Sequence, residues 1–143
     1  GERLKGFYDA LKNSRKNFEL LEPAWTSPVP EVEKNEIRNV LEERKSDVIL
    51  DFVCNLQEAA ECVKENGKGD TVLLAYDLYP EVVPYIKDST IDAVIYQDLP
   101  SQSFKAVELM FEYICYRKKA GEEDYYLPLN VVFATNCEYF ENL

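Results

Sequence analysis

Histidine is absent from the 143 residues, and the four cysteines, Cys54, Cys62, Cys115 and Cys137, form no C-x-x-C pair. A zinc centre would need all four thiolates gathered from scattered positions, and general-base chemistry loses its commonest side chain. No metal and no cofactor are expected. Phosphate-cradling glycine loops, the G-x-S-x-G elbow and H-x-E or E-x-x-H spacings are also missing, which argues against an enzyme. Basic residues are few: 16 Lys and Arg stand against 27 Asp and Glu, a formal net charge of -11. Such a chain repels phosphate backbones and does not grip DNA by itself. No apolar stretch approaches the roughly 18 to 20 residues of a membrane helix, and "GERLKGFYDALKNSRK" lacks the apolar centre of a secretory signal.

What is present suits one soluble domain spanning 1–143, since 46% of the residues are hydrophobic and 13% aromatic. Three of the four cysteines fall in apolar runs or on apolar helix faces, where thiols are usually buried and inert. A reducing compartment, the cytoplasm, is therefore the expected location.

The hydrophobic period alternates along the chain. Leu4, Phe7, Tyr8 and Leu11 define a helix ending near Asn13, and "FELLEPAW" from Phe18 reads as a strand broken by Pro23. A loop with two prolines leads to a helix over 31–45. "DVILDFVC" at 47–54 is a strand, Leu56, Ala59, Ala60 and Val63 predict a helix to Asn66, and "TVLLAY" is the next strand. A short helix follows Pro80, "IDAVIYQ" is a fourth strand, and 101–118 is the longest helix, with Phe104, Val107, Phe111 and Ile114 along one side. "LPLNVVFA" closes as a last strand. Continuous apolar strands alternating with helices predict an α/β fold, a parallel sheet flanked by helices on both faces.

In such a sheet ligands settle beyond the carboxyl ends of the strands. Three predicted strands end in Asn55, Asp77 and Gln97. One carboxylate and two amides accept and donate to hydroxyls, so the set suits a neutral polyhydroxylated ligand. Two of them have a plainer reading beside this one: Asp77 as a cap for the short helix after it, and Asn55 as the N-cap of the helix at 56–66. A receiver-type signalling domain would need an acidic pair after its first strand and a lysine after a late one, and neither is visible.

The run "TVLLAYDLYPEVVPYIKDSTIDAVIYQDLPSQSFKAVELMFEYI" resembles the C-terminal half of type I periplasmic-binding-protein-like domains, which form periplasmic sugar-binding proteins and the effector domains of LacI/GalR-family transcriptional regulators. "RLKGF" at 3–7 is similar to the R-x-x-G-F/W that opens the first helix of the second lobe, and "LPLNVVFATNCEYF" to the closing strand and tail. The family's aspartate-x-x-alanine-x-glycine signature after Asn55 is absent. The resemblance implies that Asp77 and Gln97 bind effector hydroxyls, with Asn55 nearby, and that Trp25 is placed to stack on a sugar, or else serves as a core or interface anchor. Arg3, or a residue before Gly1, takes the place of the family's ligand-binding arginine.

It further implies an N-terminal lobe and a helix-turn-helix headpiece outside this chain, a carbohydrate-like effector, operator DNA reached only through that headpiece, and a homodimer without membrane association. The alternative is a periplasmic sugar-binding protein of an import system. By the family's topology the helix at 101–118 packs on the other lobe; without it, that helix is expected to fold onto its own sheet or to pair with a second copy.

Overall fold

A computed structural model describes residues 2–14, 16–20, 30–43, 46–52, 55–66, 69–119, 121 and 124–140. The elements run α1 (Glu2–Asn13), α2 (Pro30–Glu43), β1 (Val48–Asp51), α3 (Leu56–Glu65), β2 (Val72–Tyr76), a 3-10 turn (Pro80–Val82), α4 (Val83–Lys87), β3 (Ala93–Tyr96), α5 (Leu99–Tyr116), β4 (Asn130–Val132) and a closing 3-10 turn (Cys137–Phe140).

The four strands form one sheet in the order β1-β2-β3-β4. β1, β2 and β3 are parallel, with Leu50 opposite Leu74 and Ala75 opposite Val94. The β-branched and leucine-rich runs suit this arrangement because α3, and the turn with α4, each provide the crossover that a parallel pair requires. The register sorts side chains by face: Ile49, Leu73, Ala75, Val94, Tyr96 and Val132 are buried, while Leu50, Leu74, Tyr76 and Ile95 are half-buried. The buried face joins Ile37 of α2, Leu56, Ala59, Ala60 and Val63 of α3, Ile86 of α4 and Cys137 in one core cluster. α1 lies on the other face, where Phe7 meets Phe52 edge-on with ring centres 6.2 Å apart.

The second helical layer is fastened by polar contacts at its rim. Lys34 Nζ of α2 lies 2.9 Å from Glu61 Oε2 of α3, and Gln57 donates to the other Glu61 oxygen at 3.0 Å. Lys34 and then Gln57 hold the Glu61 carboxyl below its ordinary range. Arg38 and Glu65 extend the same seam at 3.3 Å.

Three expectations need correction. β4 runs antiparallel to β3, with Ile95 opposite Val131, so the sheet is mostly rather than wholly parallel. α5, 18 residues and about 27 Å long, buries none of its side chains, so it does not provide the packed crossover that a parallel β3–β4 pair requires. Phe18–Leu20 form no strand; Phe18 and Leu20 are exposed and have no ladder partner, and Pro23 of the same run supplies no backbone donor. The rest of that run, Trp25 included, lies outside the described residues. Finally, α5 does not fold onto its own sheet, since none of its residues is buried.

Candidate functional site

Parallel pairing of β2 and β3 brings their carboxyl ends to one edge. The tie is explicit: the Asp77 backbone N–H donates to the Ile95 carbonyl at 3.0 Å. Asp77 then turns out of the strand with φ of 70°, a left-handed conformation that Asp and Asn tolerate better than most residues. One residue past β3, Gln97 donates from its side-chain amide to Asp77 Oδ1. The two residues picked out as strand-tip candidates are thus in direct contact.

The other carboxylate oxygen faces a cation. Arg3 Nη1 of α1 lies 3.8 Å from Asp77 Oδ2, with the arginine side chain 40% and the aspartate side chain 24% exposed. The same guanidinium sits over the Tyr76 ring, 4.6 Å from its centre. Tyr76 stacks on Phe52 at 5.4 Å with 25° between the planes. One cation, one carboxylate and one amide therefore share a half-exposed edge, backed by an aromatic wall. Donors and acceptors stand side by side and the charges balance locally, which suits hydroxyl groups better than a charged ligand.

Gln97 is itself held from behind, because Gln102 of α5 donates its side-chain amide to the Gln97 carbonyl. Asp98 caps α5: its carboxylate accepts from the Ser101 backbone N–H at 3.1 Å and from the Tyr96 hydroxyl at 3.3 Å. Hydrogen bonding from Ser101, first through its side chain and then through its backbone N–H, holds the Asp98 carboxyl below its ordinary range. The strand-tip sequence Gln97-Asp98 thus divides its labour, with the amide at the candidate site and the acid at the helix start.

Asn55 stands at the head of α3, on the β1 side of the same edge. Its carbonyl accepts from Ala59 N–H at 3.2 Å, but its side chain makes no capping bond. Asp77 caps no helix either; the 3-10 turn after it begins with Tyr79 as its cap residue. Trp25 lies outside the described residues. What the sequence reading missed is the wall of Phe7, Phe52 and Tyr76 beside Arg3. Only its parts were visible along the chain: Arg3 and Phe7 are four apart on one helix face, and strand alternation turns Tyr76 away from the core.

A small cleft of about 130 Å³ opens nearby between Leu78, Tyr79, Val83, Tyr96, Leu99 and Phe140. No charged side chain lines it. Among the described residues no helix is long and apolar enough to cross a membrane.

The fold has many solved counterparts. Similar structures include a protein described as a LacI transcriptional regulator from Bacteroides fragilis (20% identity, TM-score 0.77, 96% of this chain and 47% of that one). The Caulobacter myo-inositol binding protein bound to myo-inositol aligns at 22% identity and TM-score 0.81, over 96% of this chain and 48% of that one. An ABC transporter solute binding protein from Agrobacterium vitis with bound D-fucose aligns at 20% identity and TM-score 0.82, over 95% and 47% respectively. The chain thus spans about half the length of the solved structures it matches. The comparison with curated proteins returned no match. At the level of sequence, residues 1–119 match the family model described as a periplasmic binding protein domain, and the chain belongs to that family.

Proposed function

We propose that this chain is the C-terminal part of the effector-binding domain of a LacI-family transcriptional regulator, reading a neutral sugar-like molecule without catalysing a reaction. The observation that carries the binding role is the contact of Asp77 with both Gln97 and Arg3 at the carboxyl edge of two parallel strands. Asn55 and Trp25 are further candidates for ligand contact, on the strength of the family resemblance alone. A hydroxyl can donate to the Asp77 carboxylate while its neighbour accepts from Arg3 or Gln97, and such charge-assisted bonds contribute about 1.5–3 kcal/mol each.

A second lobe completes the cleft. Phe104, Val107, Met110, Phe111, Ile114 and Tyr116 of α5 are each more than half exposed, on the helix where a partner lobe is expected. Only Lys105, Glu108 and Glu112 form a polar stripe on that helix, and a helix apolar round most of its circumference belongs in an interior. Ligand clamped between two lobes favours one lobe arrangement over another. In a homodimer carrying headpieces, that shift changes how well the headpieces match operator half-sites.

The cytoplasmic regulator is preferred because Cys62 and Cys137 are buried free thiols. Burial pushes the Cys62 thiol upward, which makes it a poor nucleophile. The second reading, a periplasmic sugar-binding protein of an importer, draws on the solute-binding proteins among the structural counterparts. Thermal shift of the intact two-lobed protein against myo-inositol, D-fucose and D-arabinose tests the binding role. A binder at 100 times its Kd adds about 2.7 kcal/mol, and Asp77→Ala is expected to abolish that shift. Undiminished binding by Asp77→Ala refutes the site. Gel shift on the gene's own upstream DNA, with and without the sugar, separates regulator from transporter component.

A further inference from the structure

We propose that Tyr76 and Phe52 are positioning residues for Arg3, and that their stacked rings fix where its guanidinium meets a ligand beside Asp77. This inference rests on the binding reading above. Arg3 springs from the first turn of α1, a helix with no buried residue, so α1 itself does little to restrain a long, rotamer-rich side chain. Two groups do restrain it. The Tyr76 ring lies under the guanidinium at 4.6 Å, and Asp77 Oδ2 lies 3.8 Å from Nη1.

The aromatic contacts close a circuit. Phe7, one helical turn beyond Arg3, meets Phe52 edge-on at 6.2 Å; Phe52 stacks on Tyr76 at 5.4 Å; and Tyr76 returns to α1 through Arg3. Two attachments four residues apart on one helix face set the rotation of α1 about its own axis. They thereby set the direction from which Arg3 approaches. A guanidinium lying on an aromatic face keeps its N–H donors free at its edge, where they meet oxygen pairs. With Asp77 accepting alongside, the edge presents a donor and an acceptor next to each other, the complement of two neighbouring hydroxyls. Tyr76 acts through Arg3 in this scheme and need not touch the ligand.

The test uses the intact protein with 15N-labelled arginine, Arg3→Lys serving to assign the Arg3 Nε–H resonance, and myo-inositol, D-fucose and D-arabinose as probes. Tyr76→Leu is expected to move the Arg3 resonance to that of a freely solvated arginine. It should also weaken binding by about twofold to thirtyfold, the span of a cation–π contact. Tyr76→Phe, which keeps the aromatic face, is expected to recover the resonance and most of the affinity lost in Tyr76→Leu; Phe52→Leu falls between. An Arg3 resonance unmoved in Tyr76→Leu overturns the proposal, as does equal loss of affinity in Tyr76→Leu and Tyr76→Phe. If no probe binds, the resonance alone decides. Binding that survives Asp77→Asn while the resonance still moves in Tyr76→Leu counts against the binding site and leaves the positioning intact.

Discussion

If a second lobe covers α5, replacing Phe111 by alanine is expected to destabilise the protein far more than its surroundings in this chain suggest. Here Phe111 is 54% exposed and Phe104 72% exposed, so truncating either in this environment removes little packing. If a second lobe covers α5, the exposed part of Phe111 becomes buried. Taking about 200 Å² for a phenylalanine side chain, that part is about 110 Å², which at about 25 cal/mol per Å² corresponds to nearly 3 kcal/mol. Phe104, with about 140 Å² exposed on the same scale, stands to contribute about 3.5 kcal/mol. A cavity left by incomplete collapse adds to either value. Against a typical total of about 5–15 kcal/mol, a loss of 3 kcal/mol moves the urea midpoint of the intact protein well outside measurement error. Glu108→Ala, on the polar stripe of the same helix, serves as the control and should leave the midpoint nearly unchanged. A Phe111→Ala midpoint indistinguishable from the control would falsify the claim that another lobe covers this face.

Two further outcomes follow from the described contacts. Because Lys34 and Gln57 hold the Glu61 carboxyl below its ordinary 4.5, the stability it contributes is fully present above that pH. It is lost as the pH falls through the lowered value. The difference in Tm between the protein and Glu61→Gln is therefore expected to shrink to nothing on acidification, and a difference independent of pH contradicts the clamp between α2 and α3. Asp98→Ala removes the carboxylate that caps α5 and places alanine at φ of 48°. A fall of a few degrees in Tm is expected, which Asp98→Asn largely avoids because asparagine both caps and tolerates that conformation.

Much of the fold could be read along the chain because its elements obey one period at a time. Leu56, Ala59, Ala60 and Val63 share a helix face in the sequence and a common core in the structure. The apolar runs around Leu73 and Val94 became parallel strands because both of their faces carry hydrophobic side chains. The direction of β4 was not legible, since Asn130–Val132 is short enough to pair either way. Pro100 hid the true start of that helix. Read with Asp98 as the cap, it is a first-turn proline followed by the Ser101 N–H that the cap receives. For the candidate site, the placement of Asp77 and Gln97 at one sheet edge was visible because both follow the ends of apolar strands. Arg3 over Tyr76 was not, because it depends on how α1 crosses the half-buried face, and no local pattern encodes that angle.

The two strand-tip aspartates share a backbone conformation but use their side chains differently. Asp77 and Asp98 both adopt positive φ at strand tips, a conformation that costs most side chains about 1–2 kcal/mol. Asp98 recovers part of that cost through its cap, with bonds to Ser101 and Tyr96. Asp77 caps nothing; its side chain is turned toward Gln97 and Arg3, on the exposed edge. The backbone N–H bond to Ile95 holds the turn in place whatever the side chain does. That separation of roles makes the two aspartates a matched comparison. Asparagine at 98 retains a cap acceptor and should be tolerated, whereas asparagine at 77 keeps the backbone conformation but removes the charge that pairs with Arg3. A loss of sugar binding in Asp77→Asn without a loss of Tm would therefore locate the function of Asp77 in its carboxylate rather than in the turn it occupies.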